Sequence, residues 1–137
     1  MDFTSIRIIT DNLDPVVKFS EQVTGLQAVR PAPVFAELRL PSSTIAFGHG
    51  QTAKLFKNAA QPADNSSVII EFRVDDVDKA YERLKAFVSD WVLEPTTMPW
   101  GNRSILFRDP DGNLINLFTP VSEEAIKRFT RSSNDAD

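Results

Sequence analysis

This 137-residue chain repeats itself: a run beginning at Ile6 recurs 64 positions later. Ile6, Ile8, Thr10, Asn12, Leu13 and Asp14 are answered in order by Ile70, Phe72, Val74, Asp76, Val77 and Asp78. In both copies an apolar alternation, the mark of a strand, gives way to a capping residue and an amphipathic stretch, the mark of a helix. A duplication accounts for order and spacing together, so the chain must fold as two like units, each entering a strand and then a helix.

The remaining elements follow from the breaks. In the first copy Asp11 or Asn12 caps the helix, Pro15 suits its first turn, Val16, Val17, Phe19 and Val23 form its apolar stripe, and Gly25 ends it. Three short strands are expected at Leu26–Arg30, Val34–Leu40 and Thr44–Phe47, separated by Pro31, Pro33 and Pro41-Ser42-Ser43. In the second copy a helix is expected from Asp78 to Phe87, burying Ala80, Tyr81, Leu84 and Phe87, with strands at Trp91–Glu94, Ser104–Arg108 and Leu114–Phe118. Asp109-Pro110-Asp111-Gly112-Asn113 is a hairpin turn, since Pro presets φ and Gly supplies a positive one. The expected organisation is a single α+β domain over 1–137: module one at 3–49, a polar linker at 50–66, module two at 67–120, and a C-terminal helix and tail at 121–137. Ser122 caps that last helix, Ala125, Ile126 and Phe129 dock it on the domain or on a second subunit, and a polar tail follows from Arg131.

Composition narrows the function classes. With 42% hydrophobic residues the chain can bury its own core. Fifteen Lys and Arg against nineteen Asp and Glu give a net charge of −4, which repels a polyanion, so nucleic acid is not expected as a partner. There is no cysteine, hence no thiolate metal site or Cys nucleophile, and His49 is the lone histidine. No apolar run approaches the roughly 20 residues of a membrane span, and neither a signal peptide, a Gly-rich phosphate loop nor a nucleophile elbow stands in the sequence. A cytoplasmic protein without membrane partners is expected.

Strand alternation then sorts side chains by face. If Ile6, Ile8, Ile70, Phe72 and Val74 lie under the helices, then Ser5, Arg7, Ile9, Ile69, Glu71 and Arg73 face the other way. On an ordinary sheet those charges are simply solvated, with Glu71 paired to Arg73 or Arg7.

Two β-α-β-β-β modules, the segments Asp11-Asn12-Leu13-Asp14 with Phe19 and Gly25-Leu26, Val74-Asp75-Asp76-Val77-Asp78, and above all Phe107-Arg108-Asp109-Pro110-Asp111-Gly112-Asn113-Leu114-Ile115-Asn116-Leu117 resemble the vicinal oxygen chelate superfamily. That group takes in glyoxalase I, extradiol dioxygenases, fosfomycin-resistance enzymes and bleomycin-resistance proteins. The resemblance spans roughly residues 3 to 120 and implies modules whose mixed sheets curl into a half-barrel around a cleft, commonly in a homodimer. It also implies, in metal-dependent members, a divalent cation held by a His on the first strand of each module and a carboxylate on the fourth. Those positions fall on Ser5, Ile69, Ala46 and Asn116, which are not ligands of a catalytic divalent ion. The resemblance therefore implies a metal-independent, bleomycin-resistance-like member without a cofactor.

In such a cleft Ser5, Arg7, Glu71, Arg73 and Asn116 become polar contacts to a guest, and Phe35, Phe56, Trp91, Trp100 and Phe118 become stacking surfaces. Three readings stay open. One is sequestration of a small aromatic or peptide-like, antibiotic-like ligand. Another is a glyoxalase- or dioxygenase-like enzyme with a non-standard site in which Glu71 is the base and Arg7 or Arg73 holds an oxyanion. The last is a structural or regulatory dimer whose cleft is plugged by its own side chains.

Overall fold

The structure is a computed structural model. It describes residues 1–135, with side chains described to position 130. The element order is β1 (Ser5–Thr10), α1 (Leu13–Thr24), β2 (Val29–Ala32), β3 (Phe35–Arg39), β4 (Thr44–His49), α2 (Gly50–Ala53), β5 (Ile69–Arg73), α3 (Val77–Leu84), β6 (Trp91–Thr97), β7 (Asn102–Arg108), β8 (Leu114–Pro120) and α4 (Glu123–Asp135). The α+β class and the tandem modules are present, each module contributing a four-stranded mixed sheet: β1-β4-β3-β2 in the first and β5-β8-β7-β6 in the second. Compact unit one comprises Met1–Ser66 with the turn Asp109–Asn113, and unit two comprises Ser67–Arg108 with Leu114–Asp137.

In unit one the parallel pair β1–β4 sits at one side and Pro31 lies in the edge strand β2, where a missing N–H costs no ladder bond. Helix α1 covers one face: Leu13, Val16, Val17, Phe19 and Val23 are buried with Ile8, Ala36, Leu38 and Phe47. It ends where Gly25 takes φ 73° and its N–H returns to Glu21 O. In unit two Val77 and Leu84 of α3, with Val88 beyond it, meet Ile105, Phe107, Ile115 and Leu117, and Pro95 again lies in an edge strand.

The repeat holds through the helix starts, since Leu13 and Val77 open α1 and α3 from Asn12 and Asp76. The caps differ. Asp76 accepts a hydrogen bond from Lys79 N at 3.1 Å, whereas the Asn12 side chain makes no capping bond. Instead the Asn12 N–H donates to the buried Thr10 hydroxyl. Asp76→Ala is therefore expected to cost about 1 kcal/mol and Asn12→Ala clearly less; equal losses in urea titrations of the two variants would contradict these cap assignments.

Several boundaries shift from the sequence expectation. The strand expected at Leu26–Arg30 forms at Val29–Ala32 because Glu21 Oε2 accepts from Ala28 N and holds the approach out of the ladder. The linker is not featureless: 50–53 is helical and Lys54–Phe56 forms a 3-10 turn. Helix α3 stops at Leu84, where Phe87 N and Val88 N bond back to Leu84 O, so Phe87 lies past its end. Strands β6, β7 and β8 run two or three residues longer than expected. Helix α4 runs to Asp135, and the polar tail expected from Arg131 falls partly outside the described residues. Among the described residues, no helix is long and apolar enough to cross a membrane.

The hairpin turn at Asp109–Asn113 is built as its sequence requires. Asp109 Oδ1 accepts from the backbone N–H of Asp111 and of Asn113, Oδ2 accepts from Asn113 Nδ2, and Gly112 takes φ 83°. Burial pushes the Asp109 carboxyl above its ordinary value, and those hydrogen bonds offset part of the rise.

Candidate functional site

Each sheet has one face under its own helix and one face turned away from it, and the second is where the sequence placed a site. In unit one the ladder register sets that face in rows: Ser5, Thr44 and Arg39; Arg7, Ala46 and Glu37; Ile9, Gly48 and Phe35. Two small residues in β4 leave the middle of this face low. Arg7 lies across that space, its guanidinium carbon 5.1 Å from the centre of the Phe35 ring and 5.6 Å from that of Phe56. Each such contact is worth about 0.5–1 kcal/mol at an exposed position.

Phe56 comes from the segment that looked like a linker. After His49 the chain turns into α2, the Thr52 hydroxyl donates to His49 O, and the His49 Nδ1 accepts from Gln51 N. A Cβ at position 48 would sit 2.8 Å from Thr52 Oγ1, so glycine there is what lets α2 approach the strand. Ala53 is buried, and the following turn closes through left-handed Lys57, with Asn58 N bonded back to Ala53 O. Phe56 is thereby held over Arg7 while the residue stays 58% exposed.

The charges on this face divide clearly. Glu37 is paired with Arg39 at 2.9 Å. His49 Nε2 stands 3.9 Å from Asp11 Oδ1, at the far end of β4, and serves the helix start. Arg7 has neither hydrogen bond nor ion pair among the described residues. Of the residues read from the sequence, this face therefore gathers Arg7, Phe35 and Phe56 into one stack, with Ser5 exposed two positions along β1 from Arg7.

In unit two the corresponding face carries rows of Ile69, Leu114 and Arg108; Glu71, Asn116, Leu106 and Leu93; Arg73, Phe118 and Ser104. Glu71 Oε2 accepts from Asn116 Nδ2 at 2.7 Å, so Glu71 meets an amide rather than the arginine partner expected of it. Arg73 donates from Nη1 to the backbone carbonyl of Phe129. Phe118 is buried beneath the Phe129 ring, 5.0 Å between centres. Helix α4 thus lies on this face, anchored where Gly101 O accepts from Val121 N and Ser122 N and where the Ser122 hydroxyl accepts from Ala125 N. A groove of about 200 Å³ remains beside it, lined by Arg73, Asp75, Thr119, Ile126 and Phe129 among others, smaller than the roughly 300–1,000 Å³ of ordinary ligand pockets.

Two aromatic candidates stand elsewhere. Trp91 belongs to the row of Phe107 and Ile115 on the helix-covered side, half-buried and edge-on to Tyr81 at 4.8 Å and to Phe107 at 5.4 Å, so it packs there rather than on the open face. Its pairing opposite Phe107, before the β6–β7 register slips at Leu93, decides this. Phe118 is on the expected face but is taken by Phe129. Trp100 is 64% exposed in the turn between β6 and β7.

The metal that the resemblance implies does not fit these residues. Its four positions carry a hydroxyl at Ser5, a buried methyl at Ala46, an alkyl chain at Ile69 and an amide at Asn116 already donating to Glu71. Among the described residues no three His, Cys, Asp or Glu side chains cluster as a metal site would need.

A family model described as the glyoxalase/bleomycin resistance protein/dioxygenase superfamily matches residues 3–117. The chain belongs to that superfamily. Solved structures agree on the fold. A glyoxalase/bleomycin resistance protein/dioxygenase from Nocardioides is 24% identical over 90% of this chain and 85% of its own, with a TM-score of 0.73. A glyoxalase/bleomycin resistance protein/dioxygenase family enzyme from Burkholderia phytofirmans is 19% identical over 88% of this chain and all of its own, at 0.75. A virulence protein from Salmonella typhimurium is 24% identical over 88% and 98%, at 0.70. None of the curated proteins compared with the chain matches it. Within the superfamily fold, the features that alternation alone did not reveal are the α2 segment that delivers Phe56 and the helix α4 that covers Phe118. The buried Ala53 after a Gly-His-Gly run, and the Ala125, Ile126, Phe129 spacing, are the signals that carried them.

Proposed function

We propose that this chain is a metal-independent small-molecule binding protein of the bleomycin-resistance type, sequestering an aromatic or peptide-like, antibiotic-like ligand in the cytoplasm as a homodimer. The observation that carries the reading is Arg7 lying over both the Phe35 and the Phe56 rings. It offers an exposed ring and guanidinium donors with no internal partner, the two things that recognition of a planar polar guest requires. The donor set at Ser5, Ala46, Ile69 and Asn116 supports binding without a metal. Exposed apolar side chains at Phe3, Ile6, Val68 and Ile69 support a second copy as partner.

The test is titration of protein dialysed against a chelator with planar aromatic compounds and glycopeptides, bleomycin among them, followed by NMR shifts and by analysis of the recovered compound. Saturable binding, unaffected by the chelator, with shifts at Arg7, Phe35 and Phe56 and the compound returned intact, is expected. Binding that appears only after a divalent metal is added sinks the proposal. The enzyme reading rests on one observation, the Glu71 carboxylate oriented by the Asn116 amide. It takes over if the compound is converted and Glu71→Gln stops the conversion.

A further inference from the structure

The stack in unit one carries more than a preference for rings. A guanidinium that lies over the Phe35 and Phe56 rings still has its N–H edge, and that edge presents a pair of parallel donors matched to the two oxygens of a carboxylate. Arg7 makes no ion pair or hydrogen bond among the described residues, so the edge is committed to nothing in unit one. The segment that brings Phe56 adds charge of the same sign, because Lys54 and Lys57 flank it within the same turn and are likewise unpaired among the described residues. The nearest acid in the ladder is Glu37, beyond Ala46 in the row of Arg7, and its carboxylate is answered by Arg39. A chain of net charge −4 thus sets Lys54 and Lys57 on either side of Phe56, in the turn that reaches Arg7.

We propose that this face of unit one is an anion-selective site whose ligand class is the aromatic carboxylate, the carboxylate taken edge-on by Arg7 and the ring lying against Phe56. The proposal rests on the small-molecule reading above and deepens it by fixing the sign of the ligand's charge. A cationic or neutral arene of the same size has nothing to offer the guanidinium edge and is repelled or ignored by Lys54 and Lys57.

Three matched probes test it: 2-naphthoate, 2-naphthamide and 2-naphthylmethylammonium, titrated calorimetrically into the full-length protein. The carboxylate is expected to bind at least about tenfold more tightly than the amide, with the ammonium weakest. Its affinity should fall between low and high salt while that of the amide holds. Arg7→Gln is expected to erase the difference between carboxylate and amide, and Lys54→Gln with Lys57→Gln to weaken the salt dependence. Thermal melts of each variant show whether it is folded, and the salt series on the unaltered protein needs no variant. Equal affinities for carboxylate and amide overturn the anion-selective site while leaving a small-aromatic binder in place. Failure of all three probes to bind overturns both. Retention of the carboxylate preference in folded Arg7→Gln also overturns the assignment.

Discussion

Phe107→Ala is expected to lower the free energy of unfolding by about 3–5 kcal/mol, the cost of emptying a fully buried aromatic site. Phe107 has no exposed surface, lies in the row of Ile115 on β8, and meets the Trp91 ring edge-on at 5.4 Å. Its loss removes transfer energy and leaves Trp91, itself wedged between Tyr81 and Phe107, with one partner. Domains of this size are stable by only about 5–15 kcal/mol, so the change takes much of the margin. Urea titration followed by circular dichroism and tryptophan fluorescence checks it, and a loss under about 1 kcal/mol would mean that the Trp91 cluster is not core.

Gly101→Ala is expected to be the most damaging of the glycine substitutions, on the order of 3 kcal/mol from a strained backbone together with overpacking. Gly101 takes φ 93°, and an added Cβ would stand 2.6 Å from the Ser122 Cβ and closer still to its hydroxyl, with the Ala125 methyl 3.2 Å away. The groups displaced are those that seat the start of α4, so the helix should lift from Phe118. Gly25→Ala is the control: φ is also positive, at 73°, but nothing lies within 4 Å of the added atom, so only the backbone term of about 1 kcal/mol remains. Hydrogen exchange at residues 125–129 should rise sharply in Gly101→Ala and stay unchanged in Gly25→Ala. Equal exchange in the two variants would refute the role given to Ser122.

Alternation separates Ile115 and Leu117 from Asn116 and Phe118 on β8, but both sets are buried, the second under α4. The facing of Trp91 is not legible locally, because β6 is an edge strand whose pairing with β7 slips between Trp91, Leu93 and Thr96; a bulge reverses the facing of everything beyond it, and nothing local announces one. Arg7 and Phe35 were legible as residues of one face. Their contact was not, because it depends on Ala46 and Gly48 leaving the adjoining strand low and on α2 folding back over it.

Local periodicity sets two modules 64 residues apart, a strand then a helix in each, the Asp109–Asn113 turn, and the faces of β1 and β5. What covers those faces depends on packing between distant segments. In unit one the short segment after β4 brings Phe56 over Arg7 and leaves the ring and guanidinium edge open. In unit two α4 lays Phe129 on Phe118 and ties its carbonyl to Arg73. The reason is physical: period 2 and period 3.6 specify which side of an element is apolar, whereas the partner that buries that side is selected by packing between segments distant in sequence, which no local pattern encodes.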